Sequence, residues 1–139
     1  MKKYIADTNF ILRYLLADNE DHYRHAKVIF EEARSGKCQV SIEQCVFVEV
    51  IFVLSSFYEV PREKIAEILR SLLSYKGIRA ETEIYSAALD IYLEHNLHIV
   101  DSILAVHTLS SGDELLTFDK KLQNVVSNKL NTALAPNGE

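Results

Sequence analysis

The chain has 139 residues, 48% hydrophobic and 25% charged, with only four Gly and two Pro, the composition of one ordinary globular domain built from regular elements. A formal net charge of −5 excludes a protein that holds nucleic acid through a broadly basic surface, though not a site whose acids a metal neutralises. Cys38 and Cys45 lack a CxxC spacing and suggest neither a disulfide framework nor a cysteine–zinc site, and no apolar run nears the about 18 residues of a membrane-spanning helix.

Tyr4, Ile5 and Ala6 read as a short buried strand. Asp7, Thr8 and Asn9 interrupt it, and side chains of these types bond nearby backbone N–H groups and start helices. The interrupted run shows no signal-peptide pattern, and the cysteine usage fits a reducing cytosol, so a cytoplasmic protein is expected. Phe10, Ile11, Leu12, Tyr14, Leu15 and Leu16 follow at helical density. The pattern is strand, acid, helix, and ligands of open α/β sheets bind at the carboxyl ends of strands.

Asp18 or Asn19 caps a second helix, with Tyr23, Ala26, Ile29, Phe30 and Ala33 inward and Gly36 as its left-handed stop. Cys38, Val40 and Ile42 alternate with polar residues as a second strand. Ser41-Ile42-Glu43-Gln44 reads as a capping box that opens a third helix. Its run from Cys45 to Leu54 contains one polar residue, Glu49, which is expected on or near a buried surface. Pro61 opens a fourth helix with Ile65, Ile68, Leu69, Leu72 and Leu73 inward. Tyr75 to Arg79 forms a short strand after a turn at Gly77. Thr82 or Glu83 starts a fifth helix, with Ile84, Ala87, Ala88, Ile91 and Leu93 inward, ending at His95 and Asn96. A sixth helix has Asp101 in its first turn or at its cap and stops at Gly112. Leu115 to Phe118 reads as a buried strand, followed by Asp119 and a short helix. Residues 131–139 read as a loose tail behind a single domain, 1–130. Strands alternating with helices predict an α/β domain with a mostly parallel sheet.

Four acids stand out by position: Asp7 and Asp119 after apolar strands, Asp101 at a helix start, and Glu49 alone in an apolar run. Hard divalent cations such as Mg2+ and Mn2+ select carboxylate oxygens. Converging carboxylates repel one another unless a cation sits among them. Such an ion can promote in-line displacement at phosphorus.

These segments resemble the ordered motifs of PIN-domain ribonucleases. They are the apolar-Asp7-Thr8-Asn9 start, Glu49 in Glu49-Val50-Ile51-Phe52, Asp101-Ser102-Ile103-Leu104-Ala105, and Leu116-Thr117-Phe118-Asp119-Lys120-Lys121. At this size the resemblance is to VapC-like toxins of toxin–antitoxin pairs, and it covers Tyr4 to about Val125. It implies a Rossmann-like α/β/α sandwich around a central, mostly parallel sheet, and a Mg2+- or Mn2+-dependent endoribonuclease acting on RNA. It implies metal ligands Asp7, Glu49, Asp101 and Asp119, with Thr8 and Asn9 assisting and Thr117 orienting the cluster. Partners implied are an RNA substrate, a cognate antitoxin protein and a second copy in a homodimer. The apolar surface near Phe52 and Phe57 is the expected contact for one of the two proteins.

Each acid also has a plain reading, as a helix cap for Asp7, Asp101 and Asp119, and as a solvated residue for Glu49. His22 and His25, three residues apart, read as a solvated helix face, as do His95, His98 and His107 as surface or helix-end residues. Arg13, Arg24, Lys27, Lys120 and Lys121 read as solubilising surface able to guide RNA phosphates. Two alternatives stay on the same fold: an RNA-processing nuclease outside a toxin system, and a catalytically silent binding module. A phosphotransferase of the haloacid dehalogenase type also begins with a strand ending in Asp. It needs a second Asp two residues on, where this chain has Asn9.

Overall fold

Three short parallel strands organise the first part of the chain. The computed structural model describes residues 1–134, which group into two units, Met1–Thr82 and a second beginning at Glu83. The first unit contains β1 (Lys3–Ile5), α1 (Thr8–Leu16), α2 (Glu20–Arg34), β2 (Gln39–Ser41), α3 (Gln44–Ser56), α4 (Arg62–Leu73) and β3 (Ile78–Arg79). The sheet order is β1-β2-β3, with Tyr4 opposite Val40 and Val40 opposite Ile78. The class is α/β, a small parallel sheet with flanking helices, as expected.

β2 is the central strand, and Cys38, Val40 and Ile42 are buried, which bears out their alternation. β1 is less buried than expected. It lies at an edge, and the two-residue period turns Tyr4 and Ala6 to one face and Lys3 and Ile5 to the other, leaving Ile5 76% exposed. Ser41 does not cap α3. The ladder claims it opposite Ile5 and Arg79, and the Ile42 N–H donates to the Arg79 carbonyl at 2.9 Å, so the chain stays extended past it. The N-cap of α3 is Glu43, without a side-chain cap bond.

α2 ends as its sequence predicts. Gly36 takes φ +82°, its N–H donates to Ala33, and the Lys37 N–H donates to Glu32, a Schellman ending. Gly77 answers to a different constraint, close approach. Its N–H donates to the Ala33 carbonyl at 2.7 Å, and a Cβ there would overlap the Cys38 carbonyl oxygen. This contact locks the start of β3 against the α2–β2 corner.

In the second unit, α5 (Thr82–His95) begins at the boundary and is followed by α6 (Ile99–Ser111) and α7 (Lys120–Leu134). α6 packs on α7, and Ile103, Ala105, Val106, Leu122, Val125 and Val126 are buried. α5 buries Tyr85, Ala88, Leu89, Ile91 and Tyr92. Ile84, Ala87 and Leu93 are only half-buried, because the two tyrosine rings take the inner face that aliphatic spacing had assigned to them. α6 ends at Gly112 in the left-handed region, as expected.

Leu115 to Phe118 is not a strand. Residues 112–119 are irregular, Leu116 is 90% exposed and Phe118 fully so. A strand needs a partner for its backbone groups, and this segment turns instead. Thr117 Oγ1 accepts from the Asp119 N–H at 3.0 Å, and Gln123 Nε2 donates to the Thr117 carbonyl at 2.6 Å. α7 is longer than the short helix expected, so residues 131–134 of the supposed tail are helical, and 135–139 lie outside the described residues. Among the described residues no helix is long and apolar enough to cross a membrane.

Two measurements check this packing. Gly77→Ala should lower unfolding free energy by about 2 kcal/mol or more in urea titration, because backbone rather than a side-chain tip must move. Cys38 is buried, donates to the Ile29 carbonyl, and has its thiol pKa pushed up by burial and then by Glu32. Cys45 is exposed. Iodoacetamide should therefore label Cys45 in the native protein and Cys38 only after unfolding, as read by mass spectrometry.

Candidate functional site

Asp7 is placed by two constraints within three residues. The Ala6 N–H donates to the Ser41 carbonyl at 3.1 Å and so prolongs the parallel ladder. Asp7 then takes extended backbone angles as N-cap of α1, and its Oδ1 accepts from the Phe10 N–H at 2.8 Å. Oδ2 accepts nothing from the described residues and the side chain is exposed, so one oxygen is structural and one is free for a ligand. Thr8 is half-buried in the first turn, and Asn9 is exposed beside it.

Asp119 repeats the arrangement in the second unit. It precedes α7, and its Oδ1 accepts from the Leu122 N–H at 3.0 Å. Thr117 holds the Asp119 backbone through the turn described above. Asp101 lies in the first turn of α6 and is half-buried, where the helix N-terminus favours a carboxylate. Below it the Ser102 hydroxyl, fully buried, donates to the His98 carbonyl at 3.0 Å.

Glu49 does not lie at a buried surface. α3 turns Phe47, Val50, Ile51 and Leu54 inward, and the 3.6-residue period then carries Cys45, Glu49 and Phe52 outward. Phe52 is 64% exposed and Phe57, just beyond the helix, 76%. Among the described residues no group of three or more His, Cys, Asp or Glu side chains is placed to hold a metal ion.

The first unit also groups residues that sequence reasoning set aside. A cavity of about 250 Å³ is lined by Asp7, Asn9, Phe10, Arg13, His22 and His25. A second, of about 410 Å³, shares Asp7, Phe10 and His25 and extends to Tyr4, Ile29 and Val40. The signal for this grouping was the short link between α1 and α2, which makes them packed neighbours. It brings Asn9 and Arg13, one turn apart on α1, beside His22 and His25 on α2. Arg13 is held in place: Nη1 donates to both Asp18 oxygens at 2.7 and 2.8 Å, and Nη2 to the Tyr58 hydroxyl at 3.2 Å. The Tyr58 bond first, and then Asp18, favour its charged form against burial.

The family model that matches this chain is the PIN domain, over residues 4–127. The chain belongs to the PIN domain family. No curated protein matches it. PIN domains are generally metal-dependent nucleases, so membership places this protein in a nuclease family. All four acids fall inside the matched span.

The double duty of Asp7 is separable by stability. Asp7→Ala should cost about 1 kcal/mol through loss of the Phe10 cap, whereas Asp7→Asn, an equally good cap, should unfold within a few tenths of a kcal/mol of the parent. Urea unfolding of the three proteins checks this. Equal losses in both variants would mean that the cap bond is not what the side chain contributes.

Proposed function

We propose that this PIN-family protein is a Mg2+- or Mn2+-dependent endoribonuclease, with Asp7, Glu49, Asp101 and Asp119 supplying the metal ligands. The observation that carries the reading is the family match across residues 4–127, a span that contains all four acids. The donor chemistry fits the ion. The set is all carboxylate, the ligand type of hard divalent cations, and Asp7 keeps one oxygen clear of its helix-capping bond. The ion, when bound, supplies Lewis acidity for hydrolysis of the phosphodiester, water entering in line with the leaving ribose oxygen.

The chain's own residues do the positioning. The caps on α1 and α7 fix the Asp7 and Asp119 carboxylates by one oxygen each, so neither must be ordered when the substrate arrives. Thr117 holds the Asp119 backbone, and Asn9, on the cavity wall beside Asp7, offers an amide donor to a phosphate oxygen. Thr8 assists from the same turn.

The same reading makes the protein the toxin of a toxin–antitoxin pair, acting in the cytoplasm as one domain and inhibited by a cognate antitoxin. Its support is the VapC-like resemblance together with the exposed Phe52 and Phe57, a surface suited to an antitoxin or to the partner copy of a homodimer.

The test is RNA cleavage by the purified protein. Mg2+ or Mn2+ should permit it and EDTA should abolish it. Asp7→Asn and Asp101→Asn should each lower the rate by about two orders of magnitude or more while remaining folded. Melting curves give a second readout. Mg2+ at ~100 times its dissociation constant should stabilise the parent by about 2.7 kcal/mol, and Asp101→Asn by much less. If either variant cuts RNA like the parent, or if Asp101→Asn gains as much from Mg2+, the ligand set is wrong.

A further inference from the structure

We propose that the groove formed by β1, α1 and α2 seats one nucleotide of a single-stranded RNA, its base among the rings of Tyr4, Phe10 and His25 and its phosphate at Asn9 and His22. This deepens the nuclease reading and rests on it for the identity of the ligand as substrate. The groove itself lies wholly within the first unit.

Its two hollows divide by chemistry. The larger, about 410 Å³, has walls of Tyr4, Phe10, Ile29 and Val40. The smaller, about 250 Å³, has Asn9, Arg13 and His22. Asp7, Phe10 and His25 belong to both, so the apolar and the donor-rich halves adjoin. Ligand sites for small molecules run from about 300 to 1,000 Å³ and join an apolar lining to a few polar groups, and the joined groove has that make-up.

The rings suit a base. Phe10 and His25 meet edge to face, centroids 6.0 Å apart at 89°, and Phe10 is backed by Phe30 at 5.9 Å. A ring braced from behind loses little freedom when a base packs on it, and base–aromatic stacking tolerates any sequence. The donor half suits a phosphate. Asn9 and the two histidines are exposed and carry N–H donors. Arg13 contributes a fixed guanidinium rather than a reaching one, since Asp18 and Tyr58 occupy both terminal nitrogens. Its Nε is buried and meets no partner among the described residues. Asp7, with its free Oδ2, is in the wall of both hollows, so a nucleotide held here lies next to a proposed metal ligand.

The test is binding without cleavage. The full chain in EDTA is titrated with each nucleoside 5′-monophosphate and, separately, with inorganic phosphate, and amide shifts are followed by 1H–15N NMR. The nucleotides should shift the amides of Phe10, His22 and His25, and phosphate alone should bind about tenfold more weakly or worse. His25→Ala, at an exposed position, should weaken nucleotide binding about tenfold. Phe10→Leu, which keeps an apolar contact to Phe30 but removes the ring, should do the same. Shifts confined elsewhere, equal binding of phosphate and nucleotide, or unaltered affinity in a folded His25→Ala protein would each overturn the proposal. The two readings fail separately. A parent protein that cuts RNA but binds no nucleotide in the groove keeps the nuclease and loses the subsite. One that binds nucleotide there and cuts nothing keeps the subsite and loses the nuclease.

Discussion

The arrangement depends on how little chain separates the β1 ladder from the α1 cap. The last ladder bond is made by the Ala6 N–H and the first helix-capping bond is accepted by Asp7, the next residue. No residue between them can relax, so the Asp7 backbone is set by the sheet on one side and by the helix on the other. The cap itself contributes only about 1 kcal/mol. Its larger consequence is geometric, because it fixes one carboxylate oxygen and leaves the other pointing away from the bond. The strand-end position that favours ligands in α/β folds thus acquires a charged group that needs no ordering.

The second unit reaches a similar result without a strand. Asp119 caps α7, but the element before it is a turn held by the Thr117 hydroxyl and the Gln123 amide. An oriented carboxylate at a helix start therefore needs only that the preceding backbone be held, by a ladder in one case and by side chains in the other. Asp101 uses the helix terminus more simply, within the first turn of α6. Glu49 has no such anchor. It projects from the middle of α3 into solvent with a long side chain, whose rotamer freedom makes it the costliest of the four acids to order.

The groove beside Asp7 shows how a site can be invisible residue by residue. Three residues, Ala17 to Asn19, separate α1 from α2, and the two helices pack together. Phe10 then braces on Phe30 and meets His25, while Arg13 is tied to Asp18 and Tyr58. Each of these residues alone has an ordinary explanation as helix surface or core. Only the convergence of Phe10, Arg13 and His25 on one hollow gives them a joint chemical use.

Local chemistry in the sequence was enough to determine most of the helices and several of their ends. The Asp7, Asn19 and Asp119 caps and the stops at Gly36 and Gly112 all depend on bonds within a few residues. Tertiary structure decided what depends on neighbours distant in the chain. The ladder took Ser41 from a capping role, and tyrosines displaced aliphatic residues on α5. Leu115 to Phe118 turned where no strand paired with them, and Glu49 faced outward from a run whose sequence was apolar all round. An unbroken apolar segment carries no period, so only the packing partner could choose its inner face.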